Sequence, residues 1–403
     1  MLTNRHITVM ITGGIAAYKI PLLVRSLIKE GAEVRVLMTQ NAKNFVDPFT
    51  FEVLTKQVVS IDEFHGKDPV LHIHTADWSD LVIVTPCTAN TLGKLANGIA
   101  DNLVTSCLLA CTCPVIIAPA MNHHMLHHPA VEKNIHWLKE QGYWVLPTDY
   151  GFLAEGYEGD GRLLDLDLQV LAAKLALHPL AKVLAGSLVG QKWLITAGGT
   201  VEAIDPVRYI GNRSSGKMGC AIANMASLLG AEVHLIKTES VTAIPLLPTI
   251  KTTSVQSANE LQEAVKNNLS ANDVLVMAAA VSDYRVETPS QHKLKKQENL
   301  TLQLIKNPDI LASIANESIF KVAFAAETDH VLTYAREKRK AKAVDILVAN
   351  DVSKASIGFN SSDNAVTIIS ENQEKEVPKQ AKWSVALSII QAIIEVRSNE
   401  RKA

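Results

Sequence analysis

The chain has 403 residues, with 47% hydrophobic and 20% charged residues and a net charge of −2. That is ample for two domains with separate cores, and it gives no basic face for nucleic acid. No apolar run approaches the roughly 18 residues of a membrane span, the start shows no basic-then-apolar leader, and five cysteines make no disulfide framework in so long a chain; a cytoplasmic protein with neither a membrane nor a nucleic-acid partner is expected.

Ile7–Ile11 reads as a strand that stops at Gly13-Gly14, followed by a helix over Pro21–Lys29 and a strand over Val34–Met38. Leu81–Thr85 and Val115–Ala118 are short β-branched runs suited to a buried parallel sheet. Helix-period stretches lie at Asn90–Leu95 and Asn102–Leu109. Tyr150 to Asp165, rich in glycine and acids, reads as a mobile loop of the kind used as an active-site lid. Leu166–Leu188 is a helical connector interrupted at His178-Pro179.

The opening pattern then returns. Lys192 to Ile236 again gives strand, Gly-Gly turn, helix, a Gly-Ala-Glu-Val corner and strand, now with an insertion after the turn. Such turns hold phosphate-bearing ligands on backbone N–H groups at a helix N-terminus. Further strands are expected at Val274–Ala278, Lys321–Phe324, Asp345–Ala349 and Ala365–Ile369, and a last helix over Lys382–Val396. The pattern predicts an α/β protein of two doubly wound Rossmann-like domains with mostly parallel sheets, residues 1–188 and 189–403.

Ser214–Gly219 lacks P-loop spacing and reads as a glycine-assisted helix start. His123, His124, His127 and His128 contain i,i+4 pairs able to ligate a metal, but Pro129 limits the helix and the reading discounts a metal there. Cys107, Cys111 and Cys113 read as reduced core thiols. A nicotinamide dehydrogenase would need a G-x-G-x-x-G turn and an acid near Thr39, and has neither.

Gly-Gly-Ile-Ala-Ala-Tyr-Lys at 13–19, Pro-Cys-Thr-Ala-Asn-Thr at 86–91, Ala-Asp-Asn-Leu at 100–103 and Pro-Ala-Met-Asn at 119–122 resemble the flavin-containing cysteine decarboxylases. Asp-Pro-Val-Arg-Tyr-Ile at 205–210, Ser-Ser-Gly-Lys-Met-Gly at 214–219, Ala-Ala-Ala-Val-Ser-Asp-Tyr at 278–284, Lys-Leu-Lys-Lys at 293–296, Lys-Asn-Pro-Asp-Ile at 306–310, Phe-Ala-Ala-Glu-Thr at 324–328 and Ala-Asn-Asp-Val at 349–352 resemble a cysteine ligase. In this order they resemble the bifunctional phosphopantothenoylcysteine decarboxylase and phosphopantothenate–cysteine ligase family of coenzyme A biosynthesis, over nearly the whole chain.

For the first half the resemblance implies FMN held around Gly13, Gly14, Ile15, Thr39, Thr88, Asn90, Asp101 and Asn102. It implies His72 as a base assisting thiol oxidation and Asn122 as the group that binds the departing carboxylate. Decarboxylation then gives an ene-thiolate that must be reduced and protonated. The family flap carries Cys-Gly where this chain has Glu155-Gly156, so Glu155 is the expected proton donor. If it fails, the alternative is an active ligase with an oxidative or impaired decarboxylase half. A non-catalytic flavoprotein subunit would have no need of His72, Asn122, Asn212 and Lys293.

For the second half the resemblance implies CTP with Mg2+, an acyl-cytidylate, and attack by cysteine's amine on 4'-phosphopantothenate so activated. Asn212 handles the acyl-cytidylate and Lys293 steadies the triphosphate. Ala279, Asp283, Asn307, Pro308, Asp309, Ile310, Phe324, Lys338 and Lys342 are the remaining CTP positions, and the sequence identifies no Mg2+ ligand. The family also implies a homo-oligomer, trimeric in the flavin half and dimeric in the ligase half.

Overall fold

A computed structural model describes residues 2–64, 68–296, 298–327, 331–351 and 361–400; Thr328 and Val352, each at the end of a family-like motif, lie outside them. The chain divides into two compact units, Met1–Val183 and Leu184–Ala403.

The first unit is built on strands β1 (His6–Ile11), β2 (Glu33–Met38), β3 (Leu81–Cys87), β4 (Val115–Pro119) and β5 (Trp144–Val145), all parallel, in the order β2-β1-β3-β4-β5. Its helices are α1 (Ile20–Lys29), α2 (Pro48–Thr55), α3 (Leu71–Trp78), α4 (Ala89–Ala96), α5 (Leu103–Ala110), α6 (His123–Leu126), α7 (Pro129–Glu140) and α8 (Leu166–Ala176). The central strands read as unbroken apolar runs because helices cover both faces; every residue of β3 is buried. One face of α1, with Ile20, Leu23, Val24 and Leu27, is fully buried, and each such side chain contributes roughly 1.5–3 kcal/mol. A reciprocal capping box between Asn102 and Thr105 starts α5. This strand order places the ligand crevice at the carboxyl ends of β1 and β3, where the order reverses.

The stretch expected to be a mobile loop is a hairpin. Strands β6 (Asp149–Phe152) and β7 (Glu158–Arg162) pair antiparallel, with Gly151 opposite Gly159 and Phe152 opposite Glu158. Glycines and acids carry no period-2 apolar signal, so the pairing left no trace in the hydrophobic pattern.

A short helix α9 (Ala181–Leu184) falls at the division between the units. The second unit holds β8 (Lys192–Ala197), β9 (Val201–Ala203), β10 (Tyr209–Gly211), β11 (Glu232–Thr238), β12 (Lys251–Val255), β13 (Val274–Met277), β14 (Tyr284–Val286), β15 (Leu304–Lys306), β16 (Phe320–Glu327), β17 (Ile346–Asp351), β18 (Asp363–Ile369) and β19 (Glu374–Ala381). Its helices are α10 (Lys217–Leu228), α11 (Ala258–Asn268), α12 (Ile310–Ser313), α13 (Val331–Ala341) and α14 (Lys382–Glu400). The main sheet runs β12-β11-β8-β13-β16-β17-β18-β19, parallel through β17 and antiparallel beyond. Its first six strands follow the dinucleotide-fold order, with the reversal between β8 and β13. Both edge strands escaped the sequence: β12 is mostly polar and exposed, and β19 alternates charged residues, as edges that resist further pairing do.

Candidate active sites

The first unit carries a cavity of about 800 Å³ at the carboxyl ends of its strands, within the roughly 300–1,000 Å³ of small-molecule sites. Gly13, Gly14 and Ile15 enter after β1, Thr39 after β2, Thr88 and Asn90 after β3, and Asn122 after β4; Asp101, Asn102 and Glu155 also line it. Gly13 must be glycine, since a Cβ would lie 2.5 Å from Asn41 Cβ. The Gly14 N–H, expected to face a phosphate, instead donates to Thr12 O at 2.9 Å and closes the turn.

Thr39 Oγ1 is buried and makes no hydrogen bond, a deficit that an acceptor or donor in the cavity would remove. Lys19, Lys94 and Arg162 supply positive charge, while Met121, Met125 and Leu163 supply an apolar wall. A flavin mononucleotide, with its dianionic phosphate and apolar ring system, fits this donor set. Two of the expected ligands are already occupied: Lys94 Nζ lies 2.6 Å from Asp101 Oδ2 and is the main cause that lowers the Asp101 pKa. Asn102 spends its carbonyl on the Thr105 N–H and its amide on Asp101.

Asn122 is the N-cap of α6; its Oδ1 accepts from His124 N–H at 2.9 Å. Its Nδ2 donates to Glu155 Oε1 at 3.0 Å and to Tyr157 Oη at 2.6 Å. The hairpin tip thus brings a carboxyl and a phenol to the expected carboxylate binder. Tyr157 was not singled out in the sequence, where a tyrosine among glycines and acids carries no signal. Glu155 is exposed, so this unit alone does not provide the dry surroundings expected of it.

His72 sits apart from this group. It lies on α3, with Nδ1 2.9 Å from Glu63 Oε1 but without hydrogen-bond alignment, and it is not among the residues lining the cavity. Glu63 is fixed in turn by Ser106 Oγ, 3.1 Å from its Oε2. No spacing rule could have linked Glu63 to His72. The five cysteines are free thiols, and burial pushes Cys87 up to about 12.

In the second unit a cavity of about 820 Å³ lies at the β8/β13 reversal. Asn212, Ala279, Asp283, Asn307, Pro308, Asp309, Ile310, Phe324, Lys338 and Lys342 all line it. Asn212 Nδ2 donates to Val281 O at 3.0 Å. Asn307 is committed at both ends, donating to Ser282 O and accepting from Arg285, so it shapes the wall rather than offering a ligand. Lys342 Nζ pairs with Asp309; burial pulls the Asp309 pKa up, but Lys342 and the Ala312 N–H outweigh it and the net direction is down. Gly216 caps α10, as a helix start requires.

Lys293 is the exception. It is exposed and does not line this cavity. Its neighbour Leu294 donates its N–H to Asp205 Oδ2 at 3.1 Å and accepts on its carbonyl from Arg208 at 2.9 Å. The sequence also gave no sign of Lys382, a buried lysine lining the cavity. Burial first, then Lys217, pushes its ammonium down to about 8 against the opposing pull of Asp363.

Fold and sites together define a two-headed α/β enzyme, a flavoprotein unit joined to a nucleotide-type unit. A family model described as Flavoprotein matches residues 1–167, and one described as DNA/pantothenate metabolism flavoprotein C-terminal domain matches 188–396. The coenzyme A biosynthesis bifunctional protein CoaBC of Bacillus subtilis is 44% identical over 400 residues, covering 98% of this chain and 97% of that protein. The CoaBC of Vibrio cholerae is 40% identical over 402 residues, covering 98% and 99%. A crystal structure of the C-terminal domain of a CoaBC protein covers 53% of this chain and 100% of its own, at 35% identity and a TM-score of 0.46. The chain belongs to the family of coenzyme A biosynthesis bifunctional proteins, and is an enzyme with a phosphopantothenoylcysteine decarboxylase half and a phosphopantothenate–cysteine ligase half. The reading in which only the ligase works gains no support from this full-length similarity. Among the described residues no helix is long and apolar enough to cross a membrane.

Proposed function

We propose that the second unit uses CTP with Mg2+ to join cysteine to 4'-phosphopantothenate, and that the first unit, carrying FMN, decarboxylates the product to 4'-phosphopantetheine in the cytoplasm. The observation that carries this reading is the meeting of Asn122 and Glu155 beside the Gly13–Thr39 cradle in one cavity, with Tyr157 bonded to Asn122 from just outside its lining.

FMN, when bound, supplies the two-electron couple that takes the substrate thiol to the level from which CO2 leaves and returns the electrons afterwards. Thr39, Thr88 and Asn90, which line the cavity, would hold it through neutral side chains, with Gly13 allowing close approach. Asn122 Nδ2 turns from Glu155 to the substrate carboxylate; an uncharged donor orients it without the ground-state stabilisation that a cation would give. The Glu155 carboxyl then delivers the proton that completes the saturated thiol, while Tyr157 Oη holds the Asn122 amide from the other side. His72, oriented by Glu63, takes the thiol proton. Its distance from its own chain's cavity suits a trimer in which it serves a neighbouring copy, and exposed Ile15, Tyr18 and Phe152 at the cavity rim are apolar surface for that contact.

In the ligase half Lys338, Lys342 and Lys382 face the triphosphate, Asn212 holds the activated acyl group, and Mg2+ arrives with the nucleotide. Lys293 reaches the phosphates when its segment closes over the cavity of a dimer. Mass spectrometry of single variants tests the division of labour. Asn122→Ala accumulates phosphopantothenoylcysteine and Asn212→Ala stops before it; if either variant yields the other's product, the assignment of the two cavities fails.

A further inference from the structure

Two of the four clustered histidines acquire a third partner from a strand 33 residues away. His127 Nε2 lies 3.1 Å from Asp160 Oδ2 on β7, and His123 Nδ1 lies 4.0 Å from the same oxygen. One nitrogen of each ring and that oxygen all fall within 4.8 Å of one another. We propose that His123, His127 and Asp160 form a site for a divalent transition metal of the zinc class, which pins the β6–β7 hairpin to the segment carrying Asn122.

The backbone has already arranged the ligands. The His127 N–H donates to His123 O at 3.2 Å, closing one helical turn, and the two rings stand edge to face at 4.7 Å. Strand β7 reaches them because it presents glycines. A Cβ at Gly161 would lie 2.1 Å from Met121 O, and one at Gly159 would lie 3.2 Å from His123 Cβ. The Met121 N–H donates to Gly161 O at 3.0 Å. Asp160 is therefore delivered to the histidines by close contact on either side of it.

The polar atoms are unbalanced without an ion. His123 Nδ1 is buried from solvent and has no hydrogen-bond partner, a state that costs free energy unless something binds there. His127 has the opposite arrangement. While Nε2 faces Asp160, its Nδ1 lies 3.5 Å from Glu132 Oε1, the carboxylate support that orients metal-bound imidazoles. Two nitrogens and one oxygen suit Zn2+, whose bonds of about 2.0–2.1 Å place tetrahedral ligands roughly 3.3–3.4 Å apart. Small side-chain rotations span the difference. Mg2+, which prefers oxygen ligands, does not match. The three residues do not line the flavin-side cavity, although their chain neighbours Met121, Asn122 and Gly161 do, so the ion would act on hairpin position rather than touch the substrate.

Calorimetric titration of the chelator-treated, flavin-loaded full chain with Zn2+ tests this directly. Tight, saturable 1:1 binding is expected, weakened at least about tenfold in both His127→Gln and Asp160→Asn, and unchanged in His136→Gln, which removes only the exposed His136–Glu140 pair. X-ray absorption of the 1:1 complex should show a nitrogen and oxygen shell with imidazole scattering. Hydrogen exchange over 149–162 should slow with Zn2+ in the native chain and not in Asp160→Asn. Absence of saturable binding, binding indifferent to both variants, or a sulfur shell pointing to Cys107, Cys111 and Cys113 would each overturn the proposal. Circular dichroism establishes that each variant is folded, and the two ligand variants lie on different elements, so a folding failure in one leaves the other decisive.

Discussion

Asn122 Nδ2 donates to Glu155 Oε1 at 3.0 Å across a gap of 33 residues in the chain, so the expected carboxylate binder and the expected proton donor are partners before any substrate arrives. Glu155→Gln keeps the shape and removes the acid. It should lower decarboxylase turnover by about 10²–10⁴-fold and leave an unsaturated thiol as the product, with ligase turnover unchanged. Tyr157→Phe removes only the acceptor of the Asn122 amide and should cost less than about tenfold in kcat. Chromatography of both products, each checked by mass, separates the roles; a larger loss from Tyr157→Phe would assign the proton to the phenol.

Glu63 contacts His72 at 2.9 Å while Ser106 holds its other oxygen. Glu63→Gln should reduce decarboxylase kcat, on the order of 10²-fold if the imidazole shifts by about 1 Å, with little change in KM. Steady-state kinetics at fixed ligase activity reads the split. A pure KM effect would place Glu63 in substrate binding instead.

Lys382 gives the ligase half a pH dependence of definite sign. Burial lowers its folded value to about 8 from 10.5, so the ammonium is present at neutral pH and lost as pH rises through about 8. Nucleotide affinity should therefore fall between pH 7 and 9, and Lys382→Met should flatten that fall while weakening binding by about tenfold or more at pH 7. Without nucleotide the sign reverses. The unfolded chain holds the extra proton between about 8 and 10.5, so the contribution of this group to stability rises with pH across that window. Calorimetry with CTP across the pH range, beside thermal melts without it, checks both directions.

The Asp205–Arg208 pair clips the segment that carries Lys293. Arg208 holds the buried Asp205 carboxyl well below the ordinary carboxylate range, so the stabilisation persists at pH 5 and is lost only as pH falls through that depressed value. Asp205→Ala should speed hydrogen exchange over 290–296 and lower ligase kcat, with the decarboxylase unaffected. Unchanged exchange would mean the segment is held by other contacts.

The legible parts of the chain were those with a local cause. Leu81–Thr85 and Val115–Ala118 were visible as strands because a parallel sheet buried on both faces must be apolar throughout. Gly13 and Gly216 were visible because a turn or a helix start allows little else there. What stayed hidden depends on partners far along the chain: Glu63 beside His72, Tyr157 beside Asn122, Asp160 beside His127, and Lys382 buried at the start of α14. The hairpin at 149–162 was hidden for another reason. Its pairing uses backbone and glycine, which leave no apolar period to read.

The most direct measurement is mass spectrometry of the products formed from phosphopantothenate, cysteine, CTP, Mg2+ and the FMN-loaded chain. Accumulation of phosphopantetheine over many turnovers is the predicted result, with Glu155 completing what a flap cysteine would otherwise do. A mixture that halts at phosphopantothenoylcysteine or its unsaturated thiol after one flavin equivalent would contradict the account.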